Sequence, residues 1–246
     1  PGLRQWNDAR ERVELTGGLV SFWGDKSAQG NNFTQYRADR RNSYQAGLWL
    51  TGTETGRYLS SARRDYRFLH NGSKFGVYAI QKPTWSLAAT SALNLLFTGQ
   101  ATGGVGLQGR LSTEASGRAG FYLRGGATPT ALFVDNLLNP SHANYSPSNI
   151  IYTSSFVNLG QTLGLKATFG NAVATSGPFY PTLAEYPTGD STRFTVVHGN
   201  TGITVRVGLL LIYDWTGYTG AQVAAFDAEI MSLLNKEKLI FQNLDV

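Results

Sequence analysis

Residues 203–238 read ITVRVGLLLIYDWTGYTGAQVAAFDAEIMSLLNKEK, and two periods meet inside this stretch. Over the first part the period is two, the mark of a strand. Val205, Val207, Leu209, Leu211 and Tyr213 alternate onto one face, and Leu210 and Ile212 are apolar on the other. The strand is therefore expected to be covered on both sides late in its course. After Gly217 the spacing changes to three and four, through Val223, Phe226, Ile230 and Leu233, with Leu234 beside them. This predicts one helix over about 219–238, with Thr219 as N-cap and Lys236 and Lys238 in the last turn. Its apolar stripe should lie on a sheet.

Upstream, the period of two dominates. Strands are expected at Leu19–Trp23, Gly47–Leu50, Phe75–Ile80, Ser86–Thr90, Val105–Leu111, Gly120–Leu123, Ala131–Val134, Ile150–Thr153, Thr162–Phe169 and Arg193–Val197. The 29 glycines suit the many turns between them. The longest loops are expected at 139–149 and 176–191. The fold class is therefore all-β: a two-sheet antiparallel jelly-roll sandwich with one C-terminal helix packed on it. A chain of 246 residues, 41% hydrophobic, is ordinary for one such domain, read here as residues 19–246. Residues 1–18 read as a charged arm, with a short helix over Asn7–Leu15 ended by Gly17-Gly18, that grips a neighbouring subunit or packs on the body.

Bulk properties narrow the function. With no Cys, disulfides, thiolate catalysis and cysteine metal sites are excluded. No apolar run approaches the roughly 20 residues that span a bilayer. The segment PGLRQWNDARERVEL has no apolar core of a signal peptide, and Pro1 is read as following removal of an initiator Met. The net charge is +5, with arginines grouped at Arg37-Arg40-Arg41 and Arg57-Arg63-Arg64-Arg67. They are read as a solvated face, with an acidic glycan or protein as the sharper alternative. Nucleic acid is not expected, because no basic helix, RNP motif or zinc knuckle is present.

Several motifs tempt and fail. Gly104–Gly109 matches GxGxxG, but it continues as an alternating strand and lacks the following helix and acid. Asn32-Phe33-Thr34, Asn71-Gly72-Ser73 and Asn144-Tyr145-Ser146 fit the glycosylation triplet in a chain rich in those residues. His70, His142 and His198 have no second His at ligand spacing, and no Gly-x-Ser-x-Gly elbow exists. Sugar hydrolysis needs two carboxylates across the bond. Asp227 and Glu229 have strand spacing but lie on the predicted helix, while Glu54, Glu114, Asp135, Glu185 and Asp190 stand alone. No catalytic residue is assigned. Among the aromatics, Tyr145, Tyr180, Tyr186 and Tyr218 fall in predicted loops, where a ring stays free to stack on a sugar; they are the candidate ligand-binding residues.

Leu19–Tyr36, LVSFWGDKSAQGNNFTQY, holds the remaining candidate. Trp23, Asp25, Ser27, Gly30 and Asn31 could form a metal or sugar site, or a turn. The turn is favoured: Asp25 and Ser27 accept from backbone donors, and Gly30 and Asn31 tolerate left-handed φ. Asp25 is expected to bond backbone groups and hold no metal.

Trp23–Asn32 (WGDKSAQGNN) with Thr34-Gln35, and Gly208–Asp214 (GLLLIYD) leading to Ala228-Glu229-Ile230, resemble the opening turn and closing strand and helix of LamG-like domains of the concanavalin A-like sandwich family. Leu165–Asn171 (LKATFGN) is similar to that family's hairpin strand, with Gly-Asn in place of Asn-Gly. The resemblance implies two antiparallel sheets and frequent glycan binding, sometimes with a rim Ca²⁺. No acid-rich calcium loop and no glucanase carboxylate triplet accompany it, so no cofactor is expected. The family is common in tailed-phage virions. The implied role is a non-enzymatic virion structural protein, as head decoration or tail fibre. It would attach to other virion proteins as a homo-oligomer, a trimer in that setting, or bind a host-surface glycan, without inserting in a membrane, and assemble in the bacterial cytoplasm. The rival reading is a free lectin or a glycoside hydrolase or lyase.

Overall fold

The computed structural model describes residues 1–45, 47–52, 57–61, 66–69, 72–85, 92–98, 106–124, 130–178, 194–198 and 203–245. These form strands β1 (Leu3–Asp8), β2 (Val13–Thr16), β3 (Leu19–Trp23), β4 (Phe33–Thr34), β5 (Ser43–Gln45), β6 (Trp49–Gly52), β7 (Leu59–Ser61), β8 (Phe75–Trp85) and β9 (Ala92–Thr98). They continue as β10 (Gly106–Ser112), β11 (Arg118–Arg124), β12 (Thr130–Asp135), β13 (Tyr152–Asn158), β14 (Leu165–Phe169), β15 (Ala172–Thr175), β16 (Phe194–His198) and β17 (Ile203–Asp214), followed by helix α1 (Gly220–Leu244).

All pairings are antiparallel and build two layers. One runs β1-β17-β8-β13-β14-β15. The other runs β2-β3-β4-β7-β16-β9-β10-β11-β12. β5 and β6 join the layers by pairing with β3 and β17. The all-β sandwich with a C-terminal helix is thus as expected. Between the layers lies the main core, including Trp23, Phe33, Phe75, Phe121, Phe156, Phe169, Val205 and Ile212. Each such side chain contributes about 1.5–3 kcal/mol on burial. The hairpin β14–β15 turns at Gly170-Asn171, with Gly170 at φ 60, a conformation glycine adopts without cost.

Three expectations are corrected. The first concerns the N-terminal arm with its helix over Asn7–Leu15. β1 pairs with β17 and β2 with β3, so residues 3–16 belong to the sheets, and a domain beginning at residue 19 would leave out an edge of each layer. Gln5, Asn7 and Asp8 are buried there, which hid the strand behind a polar sequence.

The second concerns the faces of β17. The register shifts between Val207 and Leu209, so the alternation changes phase at Gly208. Val205 and Val207 enter the main core, but Leu210 and Ile212 follow them there, while Leu209, Leu211 and Tyr213 turn to the helix side. At the same point β17 exchanges its neighbour β6 for β1, and Ala9 N donates to Gly208 O across 2.7 Å.

The third concerns α1, which runs to Leu244. Thr219 caps it as expected, in a capping box with Gln222. Its buried face is Val223, Asp227, Ile230, Leu234 and Phe241, whereas Leu233 is exposed. This face closes a second core with Trp49, Tyr78, Ile80, Val157, Leu209 and Trp215 on the outer surface of β8, β13 and β17. Asp245 fixes the far end by accepting from Trp49 Nε1 at 2.7 Å and from Lys82 Nζ.

Among strands the sequence did not show are β4, β5, β7, β9 and β15. The expected strand Ser86–Thr90 and Tyr180 and Tyr186 lie outside the described residues, as does most of the loop at 176–191.

Candidate functional site

The Asp25 turn is a closed structural knot. Asp25 Oδ1 accepts from Trp6 N at 2.9 Å and Ser27 N at 2.8 Å; Oδ2 accepts from Ser27 Oγ at 2.8 Å and Asn31 N at 2.9 Å. Asn31 Nδ2 donates to Arg4 O at 2.7 Å, Gln5 Nε2 to Asn31 O at 2.8 Å, and Asn7 Nδ2 to Trp23 O and Gly24 O at 3.1 and 3.0 Å. Gly30 sits at φ 69, as its place in the turn requires. The expected backbone bonds of Asp25 are present, and Trp23 is fully buried beside Phe33. A carboxylate offers about four acceptor positions. All four are taken by N–H and O–H donors, so this residue set does not fit Ca²⁺. Among the described residues no group of three or more His, Asp or Glu side chains is placed to hold a metal ion.

The two described loop tyrosines, Tyr145 and Tyr218, belong to different parts of the fold. Tyr218 packs edge-on to Phe226 of α1, with ring centroids 5.3 Å apart, and serves the helix core. Tyr145 is exposed in the turn after β12. Its neighbour Asn144 donates to Asp135 O at 3.0 Å, which places that turn at the Asp135 end of β12.

A surface the sequence did not point to is better equipped. The helix covers one layer, while the outer face of β10–β11–β12 carries no helix among the described residues. Cross-strand pairing puts Arg110, Gly120 and Phe133 in one row, Gln108, Tyr122 and Ala131 in the next, and Ser112, Arg118 and Asp135 in a third. Inward positions on the same strands, such as Leu111, Phe121 and Val134, are buried. Tyr122 and Phe133 meet edge to face at 4.9 Å between centroids. Arg118 lies over the Phe133 ring at 4.9 Å and Arg110 over Tyr122 at 5.8 Å. Arg110 also holds Glu114 at 2.9 Å, and Arg118 holds Asp135 at 3.1 Å.

Gly120 makes the platform flat. A Cβ there would lie 2.0 Å from Leu132 O and 2.8 Å from Phe133 Cδ1, so only glycine lets the ring settle over the strand. The result is a half-buried aromatic pair bordered by two guanidiniums, two carboxylates and an amide. In general an aromatic ring that keeps one face free can stack on the C–H faces of a sugar, and bordering amide, guanidinium and carboxylate groups can bond its hydroxyls. The strand-period signal was present in Arg118, Gly120 and Tyr122, but aromatics in strands read equally as core until the pairing is known.

The fold is shared with botulinum neurotoxin binding domains. A structure of the serotype C1 binding domain aligns with a TM-score of 0.63 at 10% identity, covering 99% of this chain and 52% of that one. Another, described by the finding that cell entry of botulinum neurotoxin type C depends on interaction with two ganglioside molecules, aligns at 0.61 and 9%, covering 99% and 51%. The binding domain of neurotoxin DC in complex with SialylT aligns at 0.57 and 8%, covering 99% and 52%. The chain thus spans about half the length of these structures, and at such identity the likeness is one of fold. No protein-family model matches the sequence. No curated protein matches it either.

Proposed function

We propose that this chain is a non-catalytic carbohydrate-recognition sandwich that binds glycans on the outer face of β10–β12. The observation that carries the reading is the Tyr122–Phe133 pair, ringed by Arg110, Arg118, Gln108, Glu114 and Asp135 on the layer that α1 leaves uncovered. Tyr145 is proposed as a rim residue, which the bond from its neighbour Asn144 to Asp135 O at the end of β12 supports. Structures of the same fold that are described with gangliosides and with SialylT support a glycan as the ligand class. Hydrolysis is disfavoured because it needs a carboxyl group to protonate the leaving oxygen, and both acids on this face are engaged by guanidiniums.

The test is a glycan array that includes gangliosides and sialylated oligosaccharides, probed with wild type and with Tyr122→Ala, Phe133→Ala and Arg118→Ala. Binding to a subset of glycans that the folded variants lose supports the reading. A folded wild type that binds none, or binding indifferent to all three changes, overturns it. Release of reducing sugar from a bound glycan would overturn its non-catalytic part.

The LamG-like resemblance supports a setting for this role: a tailed-phage virion protein that decorates the particle or presents this face to a host-surface glycan, assembled in the bacterial cytoplasm. Mass spectrometry of purified particles tests it, and absence of the chain from them removes it.

A further inference from the structure

Helix α1 carries a second apolar stripe beside its buried face. Leu233, Ile240 and Leu244 follow at intervals of seven and four, which places them on one side of a helix. They are 60%, 44% and 56% exposed. Leu233 also lines a groove of about 360 Å³ between α1 and the sheet edge, whose apolar walls include Leu3, Leu209 and Leu211. Polar residues cover only part of this side: Glu237 reaches Arg10 at 3.0 Å, and exposed Lys236 makes no ion pair with a described residue.

The order of residues from Leu233 to Ile240 makes this part of the stripe complementary to itself, with Leu244 outside the complementary part. A twofold axis passing between Lys236 and Glu237, with a second α1 antiparallel, sets Leu233 against the second copy's Ile240. The same axis sets Lys236 against the second copy's Glu237, and both contacts occur twice, as an isologous interface requires. Apolar meets apolar and cation meets anion without any residue moving along the helix. A parallel copy would instead lay Lys236 beside Lys236.

We infer that the exposed stripe of α1 is a self-association surface that pairs two copies of this chain antiparallel through Leu233, Ile240, Lys236 and Glu237. The inference is independent of the glycan face, which lies on the other layer. An interface built on one helix and one groove is at the small end of specific contacts, so the dimer is weak and concentration-dependent.

Sedimentation equilibrium over a concentration series tests it, with far-UV circular dichroism and thermal melting to confirm folding. Wild type is expected to dimerise, and Leu233→Glu to weaken dimerisation about tenfold or more, since it removes one apolar contact and adds a charge at each of two places. Lys236→Glu sets acid against acid, and Glu237→Lys sets base against base, so each variant alone is expected to be monomeric. Mixed in equal amounts they restore opposite charges and are expected to form a heterodimer. A wild type that stays monomeric over the series, a dimer unaffected by Leu233→Glu, or a mixture that fails to associate overturns the inference. The mixture keeps the test decisive should Glu237→Lys lose its Arg10 contact, because only the proposed pairing predicts recovery.

Discussion

Gly208 faces the ring of Phe241: a Cβ built on it would lie 2.3 Å from Phe241 Cε1. This one approach couples the register of β17 to the seating of α1. Gly208 is where the strand changes phase and partner, and Phe241 is fully buried there, 5.2 Å from Trp49 and under the Arg10 guanidinium at 4.6 Å. The ring has neighbours on its other sides and no room to retreat. Gly208→Ala is therefore expected to cost about 2 kcal/mol as overpacking, and Gly208→Val more. Phe241→Leu in the same chain should recover part of that loss, although alone it is destabilising. Urea denaturation of the two singles and the double measures the coupling. Strictly additive losses would show that the two residues do not press on each other.

The Asp25 turn gives a second prediction. In Asp25→Ala the backbone N–H groups of Trp6, Ser27 and Asn31 and the Ser27 hydroxyl lose their acceptor together. Each buried donor left unsatisfied costs about 1–3 kcal/mol. The expected loss is about 3 kcal/mol or more, with Asp25→Asn intermediate because its amide presents donors to donors. Chelator is expected to leave the wild-type melting temperature unchanged. A fall on chelation that added Ca²⁺ reverses would make the turn a cation site.

How much of this was readable beforehand depends on where polar residues were buried. β3, β8, β10 to β14, β17 and α1 announce themselves because their apolar residues follow one period and Thr219 supplies a cap. β1 does not, since Gln5, Asn7 and Asp8 spend their polarity on the Asp25 turn, the Tyr66 hydroxyl and Arg10. One inserted residue at Gly208 reverses which half of β17 meets the helix, and composition carries no trace of it. The Asp25 turn is legible because Asp25, Ser27 and Asn31 lie close in sequence, whereas its bonds to Arg4, Gln5, Trp6 and Asn7 are not legible there. The Tyr122–Phe133 face is not, because it exists only once β10, β11 and β12 are in register.

Burial of three tyrosines sets an alkaline limit. Burial raises the Tyr78 hydroxyl well above its ordinary range, with Asp227 adding to the effect; burial raises Tyr213 as well, and pushes Tyr152 up to about 12. In the unfolded chain all three ionise near pH ~10. Above that pH the unfolded state releases protons that the folded state keeps, so unfolding is favoured as pH rises. The stabilisation is whole below pH ~10 and is lost as pH climbs through the folded values. Melting temperature followed from neutral to strongly alkaline pH should fall from about pH 10 onward, less steeply in Tyr78→Phe. A curve for Tyr78→Phe parallel to wild type would show that this hydroxyl contributes nothing to the limit.

The same Tyr78 belongs to a charged joint under α1. Tyr78 Oη donates to Asp227 Oδ1 at 2.9 Å, and Lys166 Nζ reaches Asp227 Oδ2 at 2.6 Å. Asp227 is buried on the helix, and Lys166 and Tyr78 come from β14 and β8, so one carboxylate ties the helix to two strands. Removing only the acid strands a hydroxyl and leaves an ammonium with a single solvent-facing side. Asp227→Ala is expected to cost about 3 kcal/mol, near the lower end for breaking a buried pair, because Lys166 can still reach water. A joint of this kind contributes little over an apolar one once desolvation is counted. The triple variant Tyr78→Phe, Lys166→Met, Asp227→Leu should thus recover most of the loss, and its folded yield and urea midpoint should approach wild type. If the three changes instead lost stability in proportion to their number, the joint would be a net source of stability, and α1 would depend on its charge as well as on Val223, Ile230, Leu234 and Phe241.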